Sequence, residues 1–343
     1  VTVSTALTDR VCVAVDAMSG DHGPGTCVSG AVAVLAEDPQ LDLILVGDPA
    51  RIEAALASLV AVDRQRVRVV AASEVVAMDE SPSYAVRRKK DSSMRRALDL
   101  VLQGDARACV SSGNTGALMA TAHFVLGMIE GVERPAILAP IPSQSGHTLL
   151  LDVGANASAT PFQLSQFAHM GSIVAGDCEG IDAPRIGLLN IGSEEIKGNE
   201  LVKEAHGLLK ASGLRYIGYV EGDDICRGTV DVVVTDGFTG NVALKAMEGL
   251  SRFLGGTVRT EFTRNAGRRL GAIASASALR GVKDQLDPRR HNGASMVGLN
   301  GVVIKSHGGA DAMAFAQAVR VALREARNDL PAKIRAEINL KVA

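Results

Sequence analysis

Tryptophan is missing from this chain, and aromatic residues make up only 3% of its 343 positions, so no aromatic cluster can organise the core. Small and aliphatic side chains must pack it instead. Cysteine is scarce and scattered: Cys12, Cys27, Cys109, Cys178 and Cys226 form no C-x-x-C pair and no regular spacing, which excludes a disulfide framework and predicts a reduced, cytosolic chain. Neither sign of charge dominates. Lys and Arg number 36 against 38 Asp and Glu, so bulk charge excludes a general polyanion binder and predicts no nucleic-acid partner. No apolar run approaches the roughly 20 residues that span a bilayer, and no basic-then-apolar leader opens the sequence, so neither secretion nor a membrane span is expected.

Several chemistries lack their motifs. There is no GxxxxGK[ST] loop for a nucleoside triphosphate and no GxGxxG after a strand, the glycines at 20–25 having the wrong spacing. HExxH, paired-cysteine metal sites and a GxSxG nucleophile elbow are also missing, so no metal and no cofactor is expected. The seven histidines form no ligand-spaced cluster; only His22 and His307 fall in glycine-rich turns. Cys109 sits within an apolar run and is expected to be buried and inert.

What is present is an α/β pattern. Hydrophobic residues reach 47%, glycines number 36, and short β-branched runs recur at 11–15, 43–46, 67–70, 108–111, 148–152, 186–191, 230–235 and 302–305. Their hydrophobicity is continuous rather than alternating, as in strands buried on both faces of a mainly parallel sheet. Helical periodicity appears between them, in Leu201, Ala205 and Leu208 and again in Leu244, Met247, Leu250, Leu254 and Val258. These features predict a three-layer α/β/α fold. With no repeat and no linker, a single domain over 1–343 is expected. Residues 251–290 carry nine basic and three acidic side chains, marking a basic, partly apolar helical arm within 243–298.

Six turns at predicted strand ends share glycine with Asn, Ser or Thr: DAMSGDHGP (16–24), SSGNTGA (111–117), DVGAN (152–156), NIGSEEIKGNE (190–200), DGFTGN (236–241) and KSHGGAD (305–311). Glycine admits close backbone approach, and neutral donors suit a phosphate or a developing oxyanion; they equally suit helix caps. Lys197, between Gly192 and Gly198, is the expected anion clamp around which the turns gather; pairing with Glu194 or Glu195 is the alternative. Asp16 and Asp21 bracket Gly20, and Asp152 and Asp236 end later strands, each suited to a ligand or to capping.

Taken in order from Val11 to about Ala318, these turns, with YVEGDDI, DGFTGNVALKAMEG and LDPRRHNGA, resemble the bacterial acyl-carrier-protein:phosphate acyltransferases of phospholipid synthesis. Two positions depart from the pattern: Ser19 stands where glycine is expected and Ser112 where alanine is usual. The first ten residues have no counterpart. The resemblance implies a fold like isopropylmalate dehydrogenase and phosphotransacetylase, and transfer of a long-chain acyl group from acyl carrier protein to inorganic phosphate. It also implies a homodimer working in the cytoplasm at the inner membrane face, with acyl phosphate passed to a membrane glycerol-3-phosphate acyltransferase. A thioester is already activated, so direct attack by phosphate requires positioning and charge stabilisation more than a protein nucleophile. On this reading Lys197 holds phosphate and Asn241, carried over from FTGN, donates to the thioester oxygen. Asp16, Gly20, Asp21, Asn114, Thr115, Asn156, Gly192, Glu194, Gly198, Asn199, Asp236, Thr239, Gly240 and His307 line the pocket. Arg264, Arg268, Arg269, Arg280 and Lys283 would dock the acidic carrier, and the arm also suits a dimer contact or a peripheral membrane contact. The alternatives are an acyl-enzyme on Cys109 or Ser112, a phosphotransacetylase-like enzyme using acyl-coenzyme A, and a non-catalytic scaffold for lipid synthesis.

Overall fold

Eleven strands form one sheet in the computed structural model, which describes residues 10–342 without the side chains of Lys283, Leu286 and 339–342. In chain order they are β1 (Val11–Asp16), β2 (Leu41–Gly47), β3 (Val67–Ala71), β4 (Ala108–Ser111), β5 (Ala136–Ser143), β6 (Gly146–Leu151), β7 (Ile186–Leu189), β8 (Tyr216–Val220), β9 (Val232–Val234), β10 (Ala294–Val297) and β11 (Val302–Lys305). Their spatial order is β3-β2-β1-β4-β11-β10-β5-β6-β9-β7-β8. Seven pairings are parallel and three, all around β10 and β5, are antiparallel. The sheet is therefore mainly parallel, as expected. Its antiparallel centre has a consequence for function: β1 to β4 and β11 end at one edge, whereas β6 to β9 run the other way and end at the opposite edge.

Successive residues of the central strands are buried on alternate faces, which explains the continuous apolar runs. One face carries Ala14, Cys109, Val303, Leu150 and Val233, packed under the helices Pro82–Arg88, Ser93–Leu102 and Thr115–Leu126 and part of the long helix Gly237–Thr263. On the other face, Val13, Val15, Val110 and Ile304 meet the helices Pro24–Glu37 and Ala312–Arg327. Beside them Leu149, Leu151, Val232 and Val234 meet the helices Pro161–Ile173 and Glu200–Lys210. The result is the expected α/β/α layering.

Three strands escape the sequence pattern. β5 carries Pro140 and Pro142, which argue against a central strand. Both prolines fall past Leu138, the last β5 residue paired with β10, where the strand has a single partner. β10 is only four residues long, and β8 is an edge strand, partly buried, with a register shift at Ile217.

The arm consists of the last turns of the helix Gly237–Thr263 followed by the helices Ala266–Ala274 and Ala276–Leu286. Its predicted apolar stripe divides. Leu244 and Met247 pack against the sheet, but Leu250, Leu254 and Val258 are exposed, because the helix outruns the sheet it rests on. Phe253, Leu270, Ile273 and Val282 are exposed as well. No described helix is long and apolar enough to cross a membrane.

Candidate active site

At the first edge, three adjacent parallel strands end in polar residues. The register pairs Lys305 of β11 with Ser111 of β4, and the Val15–Val110 pairing sets Asp16 of β1 beside Ser111 on the other side. Strand alternation places all three on the face that carries Ala14, Cys109 and Val303. Asp16 is buried; Ser111 Oγ donates to its Oδ2 at 2.6 Å, while Oδ1 has no partner. Burial raises the Asp16 pKa, against the hydroxyls of Ser111, Ser93 and Ser19 and the Met18 amide around it. Lys305 is 8% exposed and donates to the Ser306 carbonyl; among the described residues no carboxylate forms an ion pair with it. Burial, and then the charge of Lys245, push its ammonium down to about 8, while Asp16 and Asp21 pull it back up.

The loops after these strands interlock. The Asp21 amide donates to the Gly308 carbonyl at 2.9 Å. Gly20 has φ +82°, and a Cβ there would lie 2.6 Å from Ser112 Oγ, so both conformation and space require glycine. His307 receives the Gly309 amide on Nδ1 at 3.0 Å, which leaves Nε2 as the protonated nitrogen of a neutral ring. Burial keeps its pKa low. Asn114 caps the helix Thr115–Leu126 through the Ala117 amide and donates to the carbonyls of Met78 and Glu80; Thr115 is exposed on the first turn, and His22 is exposed in the first loop.

Ser19 and Ser112, the two positions set apart in the sequence, meet each other. The hydroxyls of Ser19 and Ser112 lie 3.0 Å apart, Ser19 donates to the Asp16 carbonyl at 2.9 Å, and it accepts the Ser112 amide at 3.0 Å. Two buried hydroxyls are thus satisfied mutually. Cys109 is fully buried with its thiol held well above the usual range by desolvation, and Ser112 is enclosed, so neither is presented as a nucleophile.

At the opposite edge stand the loops after β6, β9 and β7, which are neighbours in the sheet. Asp152 is buried, and its carboxylate accepts the amides of Ile137, Gly154, Ala155 and Asn156 and the Asn156 Nδ2, a full set of partners that makes it a structural staple. Asn156 also donates to the Pro135 carbonyl. Asp236 caps the long helix, accepting the Thr239 amide at 2.9 Å and the Thr239 hydroxyl at 2.8 Å. Gly240 is the tightest approach: a Cβ there would lie 1.9 Å from the Asp152 carbonyl. Asn241, exposed on the next position, stands beside Gly154. In the third loop Lys197 is exposed and pairs with Glu194 at 2.7 Å; Glu194 raises its pKa, and Glu221 adds to that rise. Asn190 donates to the carbonyls of Gly192 and Lys197, Gly198 follows, and Asn199 caps the helix Glu200–Lys210.

The six turns therefore do not gather around Lys197. They part into two sets of three, because the antiparallel centre reverses the strands between them, and the ion pair of Lys197 with Glu194 is the alternative weighed for that loop. The long helix joins the sets. It starts at the second edge and runs back across the sheet face, so that the charge of Lys245 is felt at Lys305, and the charges of Glu248 and Lys245 at His307. Asn241, Lys245 and Glu248 lie at i, i+4 and i+7 on one helix face, Asn241 and Lys245 being ~6 Å apart along the axis. Lys245 pairs with Glu248 at 3.0 Å. Sequence reasoning missed Lys305, Lys245 and Glu248. The signal for Lys305 was a lysine closing a fully apolar strand immediately before a glycine turn; for the helix pair it was the i+4 and i+7 spacing from Asn241.

Phe238 and Val242, in the first turns of the long helix, and Ile191 and Ile196, on the neighbouring loop after β7, are exposed at the second edge. On the arm, Arg264 and Arg268 share Glu261, Arg269 donates to the Thr263 carbonyl, and Arg280 is exposed; the Lys283 side chain lies outside the described residues.

A family profile described as "Fatty acid synthesis protein" matches residues 11–333. A phosphate acyltransferase of Alkalilimnicola ehrlichii is 51% identical over 328 residues, covering 96% of each chain. This chain belongs to that family of acyltransferases. Among solved structures, a phosphotransacetylase from Streptococcus pyogenes superposes with a TM-score of 0.61 at 18% identity, covering 93% of this chain and 95% of that protein. A 4-hydroxythreonine-4-phosphate dehydrogenase from Klebsiella pneumoniae gives 0.54 at 12%, covering 92% and 99%. At such identities the likeness is one of fold, and it agrees with the architecture the resemblance implied. For this acyltransferase family the chemistry has to be argued from the site itself.

Proposed function

We propose that this enzyme transfers a long-chain fatty acyl group from the thioester of acyl carrier protein to inorganic phosphate. A phosphate oxygen attacks the carbonyl carbon, the C–S bond breaks, and the carrier leaves as a thiolate that takes its proton from water. The products are acyl phosphate and free carrier. The observation that carries this reading is the shared helix face: Asn241, an amide donor, stands one turn from Lys245, whose charge acts on Lys305 at the other edge.

Asn241 donates to the carbonyl oxygen as negative charge builds, while the cationic end of the same face faces the attacking anion. Asp21, Gly20 and His307 frame that end; Asp236, Thr239 and Gly240 fix the turn that aims Asn241. Asn156, Asn114 and Asn199 set the loop backbones by the bonds described above. Lys197 serves as a second cation at the far edge, engaging an anion when it exchanges Glu194 for it. The exposed Phe238, Val242, Ile191 and Ile196 offer the acyl chain an apolar approach beside Asn241.

The acidic carrier is steered by the six-charge positive excess of residues 251–290. The arm's exposed apolar side chains are covered in a homodimer or laid on a membrane surface. Acyl phosphate then serves a membrane glycerol-3-phosphate acyltransferase, from the cytoplasmic side. The test is phosphate-dependent release of thiol from palmitoyl-carrier, with the acyl phosphate trapped by hydroxylamine. Equal turnover of the coenzyme A thioester would replace the carrier as donor, and no phosphate dependence would end the reading.

A further inference from the structure

Two buried groups at the first edge lack the partners their chemistry demands. A cation taken out of water costs free energy unless it is paired, yet Lys305 has no carboxylate ion pair among the described residues. A buried carboxylate oxygen without a hydrogen bond is equally costly, yet Asp16 Oδ1 has none. They sit on the same face of the sheet with Ser111 between them, and the loops that follow β1 and β11 meet where the Asp21 amide donates to the Gly308 carbonyl. Each satisfies half of what one ligand would need: a group that accepts from an ammonium and shares a proton with a carboxyl oxygen.

Resting on the phosphate-acceptor reading above, we propose that Lys305 is the primary seat of inorganic phosphate, and that Asp16 Oδ1 selects phosphate by sharing the proton of a P–OH group. A phosphate oxygen accepts from Lys305 Nζ, and the protonated oxygen faces Asp16. Sulfate, carrying no proton at neutral pH, fills the first half and leaves the second unmet. The charge of Lys245, on the helix that carries Asn241, bears on the same place. The low ammonium pKa of Lys305 agrees with a cation held out of water within the field of a second one. Attack therefore starts from the edge of β1, β4 and β11, and Lys197 is secondary.

The experiment has two stages. The wild-type enzyme is first assayed for phosphate-dependent thiol release; a failure there removes the reading of the function and leaves no acceptor to place. With activity in hand, KM for phosphate and calorimetric titration of phosphate and of sulfate are measured on Lys305→Met, Lys305→Arg and Asp16→Asn, each checked for a native melting transition. Lys305→Met raises KM and Kd for phosphate by tenfold or more, and Lys305→Arg restores part of it. Asp16→Asn collapses the preference for phosphate over sulfate. Should Asp16→Asn fail to fold, the phosphate-to-sulfate ratio of the wild type still decides: equal binding of the two anions overturns the selection. Unchanged phosphate affinity in Lys305→Met, or its loss in Lys197→Met instead, overturns the seat while the proposed reaction stands.

Discussion

Glu325 offers the sharpest thermodynamic test of the fold. It lies on the helix Ala312–Arg327, buried against β10, where Ser295 Oγ donates to its Oε2 at 2.8 Å. Burial raises its pKa from 4.5 to about 7, partly offset by the Ser295 bond and by the charge of Arg324. The folded state thus prefers the neutral acid, whereas the unfolded chain ionises at the ordinary value. Unfolding releases a proton between these two pKa values, so stability falls as pH rises through that window and levels off above about 7. At 1.36 kcal/mol per pH unit, the rise from 4.5 to about 7 corresponds to about 3 kcal/mol. Glu325→Gln cannot ionise but retains an oxygen for Ser295. We expect it to match the parent near pH 4.5 and to be more stable by up to about 3 kcal/mol near pH 8. Urea midpoints across this range, taken on both proteins, cancel every other titrating group. Parallel curves would refute the assignment of a neutral buried Glu325.

The remaining predictions concern the site. Asn241→Ala should lower kcat by roughly 10²–10³ with the fold intact, as for loss of one oxyanion donor; near-normal turnover removes it from the chemistry. Gly240→Ala forces a methyl against the Asp152 carbonyl, 1.9 Å from the ideal Cβ position, and should cost about 1–3 kcal/mol in denaturant melts. An unaffected midpoint would mean the contact relaxes freely. Ser19→Gly and Ser112→Ala should each leave a buried hydroxyl short of a partner, while the double change should cost less than the sum by about 1 kcal/mol. A strictly additive cycle would mean that the 3.0 Å contact between the two hydroxyls is not an interaction.

The polar turns were legible individually because glycine, Asn and Asp at strand ends have local reasons to be there. Asn114, Asn199 and Asp236 each cap a helix, the alternative that local chemistry always left open. Lys197 stood out because it is flanked by glycines, and the same locality supplies its partner, Glu194, three residues away. Lys305 was hidden for the opposite reason: its place at the end of an apolar strand shows in the sequence, but the residues that give it meaning, Ser111 and Asp16, arrive from β4 and β1.

The runs of Val, Ile, Leu and Ala by themselves determined a mainly parallel, helix-covered sheet, because a strand buried on both faces must be apolar throughout. They also determined most strand positions and, through the ordered turns, the family. Only the tertiary structure decided that the turns form two sets and which side chains face one another. Strand direction is set by β5 and β10, one carrying prolines and the other four residues long, whose pairing depends on partners far away in the chain. Whether an ammonium sits in water beside a glutamate or in a dry pocket across from a bare carboxylate oxygen is a matter of register and burial, and neither is written in the residues next to it.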